Sequence, residues 1–381
     1  MNTDTDSRTE KRPTVFSTAS NPDPPEDGFQ WYRGQVHVHT NHADKTDAVQ
    51  WYKRHGYDFA VITDLNYATR VDGLKAVYDE PERFVVVPGI ETSAVHDGTI
   101  HDVMGYGGAP ATVQSDDTRS VTVPFEPGPE TYRRQARLIA EAGGVPAIAH
   151  PNLTWAAGAE TITSVDPDVL RHFEMITTEP GMNDAGGGGR PSTTAIWDEV
   201  LSTGRELYAI AADDAHHFDR IGPETRPVDG TMRTQAPALP GRTSVFVRAR
   251  ELSAGAVVDA IRRGDFYSVK HGLTLPIEFE RIAVDDVGIS LELPTGSKDI
   301  GWTSDARNPT RYRTVFLGVD TATAADASGA VGGDAEVLER DTSDSPSYAF
   351  TGSERYVRAR VEGSDGAVAW TQPVFPDGPD R

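Results

Sequence analysis

The residues able to do chemistry sit at the polar ends of apolar runs. His37-Val38-His39 sets two imidazoles on one face of an extended segment, because side chains two apart point the same way. Alone, such a pair is commonly two satisfied surface or core histidines. Here it has company: Glu91 closes Pro88-Gly89-Ile90-Glu91, His150 lies in Ala149-His150-Pro151-Asn152, Asp64 follows Ile62-Thr63, and Asp213-Asp214-Ala215-His216-His217 ends another apolar run. Imidazole and carboxylate together suit Zn, Mn or Fe without choosing among them. Cysteine is absent from all 381 residues, which excludes disulfides, thiolate ligands and a cysteine nucleophile and leaves a metal only nitrogen and oxygen donors.

Seven runs must position these groups: 35–39, 59–64, 84–91, 101–107, 145–151, 173–178 and 207–214. Helix-like segments at 47–55, 130–142 and 194–203 lie between them. Each is followed by a glycine (Gly56, Gly143, Gly204) suited to a left-handed cap, and a further helix at 254–263 ends at Gly264. The alternation predicts parallel strands joined by crossover helices, an α/β barrel whose C-terminal strand ends share one rim. Glu174 departs from the pattern by lying near the start of its run, and His101 begins the fourth. Beyond residue 275 strands alternate without helices, at 277–284, 289–293, 312–319, 348–350, 356–361 and 367–371, with Asp365-Gly366 as a hairpin turn. The expected organisation is a disordered polar leader over 1–28, a barrel over 29–275 and a small all-β, sandwich-like domain over 276–381, with a mobile loop at 321–334.

The formal charge is −22, and lysine occurs only at Lys11, Lys45, Lys53, Lys75, Lys270 and Lys298. That composition is similar to halophilic proteins, whose carboxylates sustain solubility where salt screens repulsion. Duplex nucleic acid is disfavoured as a partner, since backbone binding needs clustered Lys and Arg. Small anionic or ester substrates stay open. No apolar run approaches the length that crosses a bilayer, and the leader lacks the apolar core of a signal peptide, so a soluble cytoplasmic protein is expected.

From Trp31 to Tyr267 the sequence resembles the PHP (polymerase and histidinol phosphatase) family. The likeness is carried by His37-Val38-His39-Thr40 with Asp44, Ile62-Thr63-Asp64, Pro88-Gly89-Ile90-Glu91, Ile100-His101 with Gly105-Tyr106, Ala149-His150-Pro151 and Asp213-Asp214-Ala215-His216-His217. Gly264-Asp265-Phe266-Tyr267 and the segment 369–375 resemble its CehA/McbA branch, named after carbaryl hydrolases. The resemblance implies a distorted seven-stranded, TIM-like (β/α) barrel holding divalent metals that hydrolyse phosphoesters or, in that branch, carbamates. It implies a first metal on His37, His39, Glu91 and Asp214, and a second on Glu91, His101 and His150. A third family site uses residues matching Asp44, the histidine of a Thr-Asp-His motif beside Asp64, and His216. Here Leu65 stands where that histidine would be, and leucine binds no metal. Two ions are therefore expected, with Asn66 and His42 the nearby substitutes for the missing ligand.

Two ions about 3.5 to 4 Å apart can activate water and clamp ester oxygens. Asp213 and Asp102 are candidates to orient ligating imidazoles. His217 is a candidate proton donor, or a histidine that merely bonds backbone. Arg190, after Gly186-Gly187-Gly188-Gly189, is a candidate grip for phosphate or carboxylate, or the tip of a surface loop. His96 rivals His101 for the second metal, while His55, His172 and His271 read as structural. The expected function is a phosphoesterase on nucleotides, nucleoside bisphosphates or the 5′ ends of short oligonucleotides. Alternatives are a carbamate or carboxyl-ester hydrolase and an inactive metal- or ligand-binding protein.

Overall fold

The computed structural model describes residues 28–40, 45–109, 128–218, 238–272, 276–294, 310–320 and 335–376, and the backbone of 224–228 and 231–235. The leader, Asp44, His42 and the loop at 321–334 lie outside the described residues. In chain order the elements begin with β1 (Gln30–Val38), α1 (Lys45–Arg54), β2 (Phe59–Ile62), α2 (Asp72–Tyr78), β3 (Val85–His96), β4 (Thr99–Tyr106), α3 (Pro129–Glu141) and β5 (Val145–Ile148). They continue with α4 (Ala159–Thr163), β6 (His172–Thr177), α5 (Thr193–Ser202), β7 (Tyr208–Ala212), β8 (Glu224–Val228), β9 (Thr231–Gln235), β10 (Thr243–Ala249), α6 (Ala254–Arg263) and β11 (Phe266–Lys270). The C-terminal strands are β12 (Arg281–Val284), β13 (Gly288–Glu292), β14 (Tyr312–Asp320), β15 (Glu336–Asp341), β16 (Ser347–Ala349), β17 (Glu354–Gly363) and β18 (Val368–Trp370).

Helix ends follow local chemistry. Ser192 and Ser253 accept hydrogen bonds from Ala195 and Ala256 at the N-termini of α5 and α6, and Gly264 closes α6 in the left-handed conformation that a Cβ would strain. The strands of the seven expected runs all form, but they do not make an all-parallel barrel. One 13-stranded sheet runs in the order β15-β14-β17-β18-β11-β10-β1-β2-β3-β4-β5-β6-β7. β4 is antiparallel to both β3 and β5, and β10 is antiparallel to β1. The cause at β3–β4 is Asp97-Gly98, both with positive φ, between the paired residues His96 and Thr99. Two consecutive left-handed residues make the tight hairpin turn that Asp-Gly favours, so no crossover helix intervenes.

Nor, among the described residues, does a continuous ladder close the sheet. There the chain after β7 returns to β1 through one bridge, Val38 to Ala215, and through buried side chains. Gln35 is the chief of these. β1 slips register against β2 between Gln35 and Val38, and the side-chain oxygen of Gln35 accepts from Val36 N (2.9 Å), His37 N (3.3 Å) and Asp213 N (3.2 Å) while its nitrogen donates to Thr243 Oγ1 (3.0 Å). A bulge leaves backbone donors unpaired, and this amide satisfies them. The slip turns Val36 toward the interior core, whereas Val38 packs outward with the α1 residues Ala48, Val49 and Tyr52. α6 plugs the interior with Val257, Val258 and Ile261.

The C-terminal strands are continuous with this sheet, since β18 pairs with β11 on one side and β17 on the other. A three-stranded sheet, β12-β13-β16, contributes Ile289, Leu291 and Tyr348 to a core shared with Phe246, Tyr267 and Phe316. Arg358 of β17 is buried, with Nε and Nη2 donating to the two oxygens of Asp198 in α5 at 2.8 and 2.7 Å, its guanidinium 4.6 Å from the Trp197 ring. The Tyr356 hydroxyl donates to the same carboxylate at 2.9 Å.

No described helix is long and apolar enough to cross a membrane. His172 and His271 are structural, His172 donating from Nε2 to the Ile261 carbonyl at 2.7 Å and His271 meeting Gly241 O and Ser244 Oγ.

Arg358→Met leaves Asp198 as an uncompensated buried charge, and urea unfolding is expected to show a loss of about 3 to 5 kcal/mol, partly recovered when Asp198→Asn is added. Burial pushes His172 down to about 4, with Arg171 and Arg262 acting in the same direction against the Ile261 carbonyl. Its contribution to stability is therefore whole above the free-histidine value and is lost as pH falls toward 4, by at most about 3 kcal/mol. His172→Gln is expected to flatten that part of the stability profile, and an unchanged acid limb would refute the assignment.

Candidate metal centre

The cluster forms on one rim. β1, β5 and β7 end there, long β3 passes through it, and the Asp97-Gly98 hairpin turns the start of β4 back to it. His37 and His39 are buried on the same side of β1. His37 Nε2 lies 2.9 Å from His39 Nε2, 3.1 Å from Asp214 Oδ1 and 3.5 Å from Glu91 Oε2. His39 Nε2 lies 3.0 Å from Asp214 Oδ1 and 3.2 Å from Glu91 Oε2. Donors around a tetrahedral ion bound at about 2.0 to 2.1 Å stand about 3.4 Å apart. Five edges of that figure, among two nitrogens and two oxygens, fall near this length. Asp214 Oδ1 stands at the centre of the group, with the imidazole nitrogens of His37, His39 and His216 all within 3.2 Å. The donor set fits a divalent cation.

A second group continues from Glu91, whose Oε1 is 3.1 Å from His150 Nε2, with Asp102 Oδ2 3.6 Å from the same nitrogen. A third comprises Glu179, Asp214 and His216, with His216 Nε2 3.2 Å from Asp214 Oδ1 and 4.0 Å from Glu179 Oε1. The His216 ring stacks on His39 at 4.1 Å. His150 and Asp214 both have positive φ, an uncommon conformation for side-chain-bearing residues that concentrates at functional sites.

Glu174 organises the group from below. Its Oε1 accepts a hydrogen bond from His37 Nδ1 at 2.8 Å, and its Oε2 accepts from His150 N and Thr177 Oγ1, each at 3.1 Å. With Nδ1 donating, Nε2 of His37 presents its lone pair to the cluster. Burial alone would lower the imidazole pKa values, but the surrounding carboxylates prevail. Asp214, Glu174 and Glu91 raise His37 well above its ordinary value, Asp214 and Glu91 raise His39 to about 9, and Glu91 and Asp102 raise His150 to about 10. Glu91 and Asp214 are held well below the usual carboxylate range by those imidazoles against the opposing cost of burial. The pocket stabilises positive charge, and a divalent ion would take the place of these protons.

Several expected residues stand elsewhere. His101 is not in the cluster. Strand pairing sets Ser93 against Asp102 and Ala94 against His101. Ser93 shares the Glu91 face, so Asp102 does too, while His101 turns to the other side and meets the Tyr132 ring of α3 at 5.3 Å. Asp64 is drawn away by Thr40, whose N and Oγ1 donate to it at 2.5 and 2.6 Å, and by the Thr69 hydroxyl. Asp213 orients no imidazole. Its Oδ1 accepts from Arg242 N, Thr243 N and Thr243 Oγ1 and its Oδ2 from Gly241 N and the Tyr52 hydroxyl, so it anchors the chain entering β10. Asn66 spends its side-chain oxygen on Ser93 N at 2.7 Å. His217 is half-buried beside His216, their rings 6.5 Å apart. Arg190 is exposed, outside the cluster, 6.0 Å from the Trp155 ring centroid, on a tight turn closed by its backbone bonds with Gly187. His96 is half-buried beside Asp97, and His55 stacks on Trp51.

Glu179 was missed, and no local signal separates it from other loop acids. Glu174 carried one: a carboxylate inside the apolar run Phe173-Glu174-Met175-Ile176.

The sequence matches no protein-family model. It also matches no curated protein. Among solved structures, one similar chain is a two-domain protein of Bacteroides vulgatus containing a predicted PHP-like metal-dependent phosphoesterase, 12% identical, with a TM-score of 0.41 over 91% of this chain and 96% of that one. Another is a provisionally assigned metal-dependent phosphoesterase of Bifidobacterium adolescentis, 11% identical with a TM-score of 0.37, covering 49% of this chain and 88% of that one. A third is an amidohydrolase of Chromobacterium violaceum with bound sulfate and no metal, 14% identical with a TM-score of 0.35, covering 54% and 93%. Likenesses this distant assign no activity.

Glu174→Gln keeps the shape of the cluster and removes the charge that fixes His37. Calorimetric titration with Zn2+ is expected to show affinity reduced by about 10- to 100-fold, the cost typical of outer-sphere partners. Unchanged affinity would show that Glu174 serves packing alone.

Proposed function

We propose that this chain is a PHP-type metal-dependent phosphoesterase acting on small phosphorylated substrates. The observation that carries the reading is the set of near-tetrahedral donor separations among His37, His39, Glu91 and Asp214, with Glu91 reaching across to His150. Two divalent ions are the expected complement, on those four residues and on Glu91, Asp102 and His150. Such ions supply a Lewis acid for the ester oxygen and lower the pKa of bound water toward neutrality.

The protein's own groups prepare the site. Glu174 fixes His37 in the tautomer that offers Nε2, and His150 receives the same carboxylate at its backbone N–H, so one buried side chain sets two ligands. The ligands of both sets are almost wholly enclosed, whereas His216 and Glu179 are 21% and 27% exposed, which marks their side as the mouth through which substrate enters. The loops after β5 and β6 border this rim and are tied together by Asn152, which donates to Asn183 O and Pro191 O at 3.0 Å. Trp155 and Arg190 project from these loops as the pair offered to an aromatic or anionic substrate group. The acidic surface otherwise disfavours long polyanions, in line with a small substrate.

The test is turnover of p-nitrophenyl phosphate, bis-p-nitrophenyl phosphate and naphthyl carbamates by protein loaded with Zn2+ or Mn2+ in high salt. Phosphoester turnover is expected, falling in Asp214→Asn and His150→Ala by more than the roughly 100-fold that outer partners command, with bound metal falling in parallel. Carbamate turnover without phosphoester turnover would replace the substrate class. Inertness of metal-replete protein on the whole panel would sink the enzyme reading.

A further inference from the structure

Two of the three donor groups meet at Glu91 and have different donor chemistry. One offers the imidazoles of His37 and His39 with Asp214 and the shared Glu91; the other offers one imidazole, His150, with Glu91 and Asp102. The asymmetry comes from the β3–β4 register, which brings Asp102 to the Glu91 face and sends the neighbouring imidazole of His101 to Tyr132. Asp102 is only 5% exposed, and its Oδ1 has no hydrogen-bond partner among the described residues. Its Oδ2 stands 3.6 Å from His150 Nε2, too far for a direct hydrogen bond but suitable for two donors of one ion. A carboxylate oxygen buried without a partner is costly unless a cation completes it.

Resting on the metallohydrolase reading, we infer that the centre is chemically divided: the His37–His39 half discriminates Zn2+ from Mn2+ more strongly than the Asp102–His150 half. Imidazole suits Zn2+, and carboxylate suits the harder Mn2+ and Mg2+. Each half still binds Zn2+ more tightly in absolute terms, as the ordinary affinity series requires, so the division lies in the ratio. With Zn2+ limiting and Mn2+ in excess, Zn2+ settles in the first half and Mn2+ in the second. Asp102 is the residue that sets the difference.

The experiment loads metal-free full-length protein with one equivalent of Zn2+, adds Mn2+, removes free ions and reads elemental content with the Mn2+ paramagnetic resonance spectrum. Native protein is expected to hold about one ion of each kind, with the spectrum of an isolated Mn2+. Asp102→Asn is expected to keep the Zn2+ and lose the Mn2+, the retained Zn2+ showing that the fold survives. Asp102→His is expected to take a second Zn2+ readily and to exclude Mn2+. Mn2+ content unchanged in Asp102→Asn, or Zn2+ and Mn2+ spread alike over both halves, would overturn the division while leaving a metal centre standing. Native protein that binds neither ion would overturn the division and the metallohydrolase reading together.

Discussion

Buried negative charge is the constraint around which the rim is arranged. Glu91, Asp102, Glu174 and Asp214 are each at most 5% exposed, and they converge on one small volume. At low effective dielectric their mutual repulsion and the loss of hydration are both severe. The strain is relieved from both sides: burial and the neighbouring Glu91 push Asp102 up to about 7, and the three imidazoles His37, His39 and His150 hold protons far more tightly than free histidine. The register slip in β1, its satisfaction by Gln35, and the left-handed backbone at His150 and Asp214 all hold these groups in an arrangement that a relaxed chain would avoid.

Much of this was legible in residue order. The seven runs became strands, the four glycine-terminated segments became α1, α3, α5 and α6, and the His-x-His pair lies beside Glu91, His150 and Asp214, because period-two alternation and strand-end placement are local properties. Strand direction was less accessible. The Asp97-Gly98 turn was present in the sequence, but a run with His101 at its head invited a reading as another parallel strand, and the hairpin reverses it. β10 was overlooked; it joins the sheet between β11, the next strand after α6, and β1, a partner some two hundred residues away in sequence.

The exchange of Asp102 for His101 shows how sharply pleating sorts neighbours. Adjacent strand residues face opposite ways, so a difference of one position moves a side chain to the other face of the sheet. Asp213 and Asp214 repeat the lesson at the end of β7: one carboxylate gathers four donors from the chain leading into β10 and a fifth from Tyr52 of α1, and the other meets the imidazoles. Glu179 illustrates a different gap, since a loop acid acquires meaning only from what folds opposite it.

The unbroken sheet from β7 to β15 also bears on how such a chain can be divided. β11 gives its outer hydrogen-bonding edge to β18, so cutting the polypeptide after β11 would expose a bare strand edge and uncover Tyr267 and Phe246. Unpaired edges recruit other strands. The C-terminal strands therefore act as the selvedge of the large sheet, and recombination that exchanged them as a free module would have to supply a replacement hem in the same register.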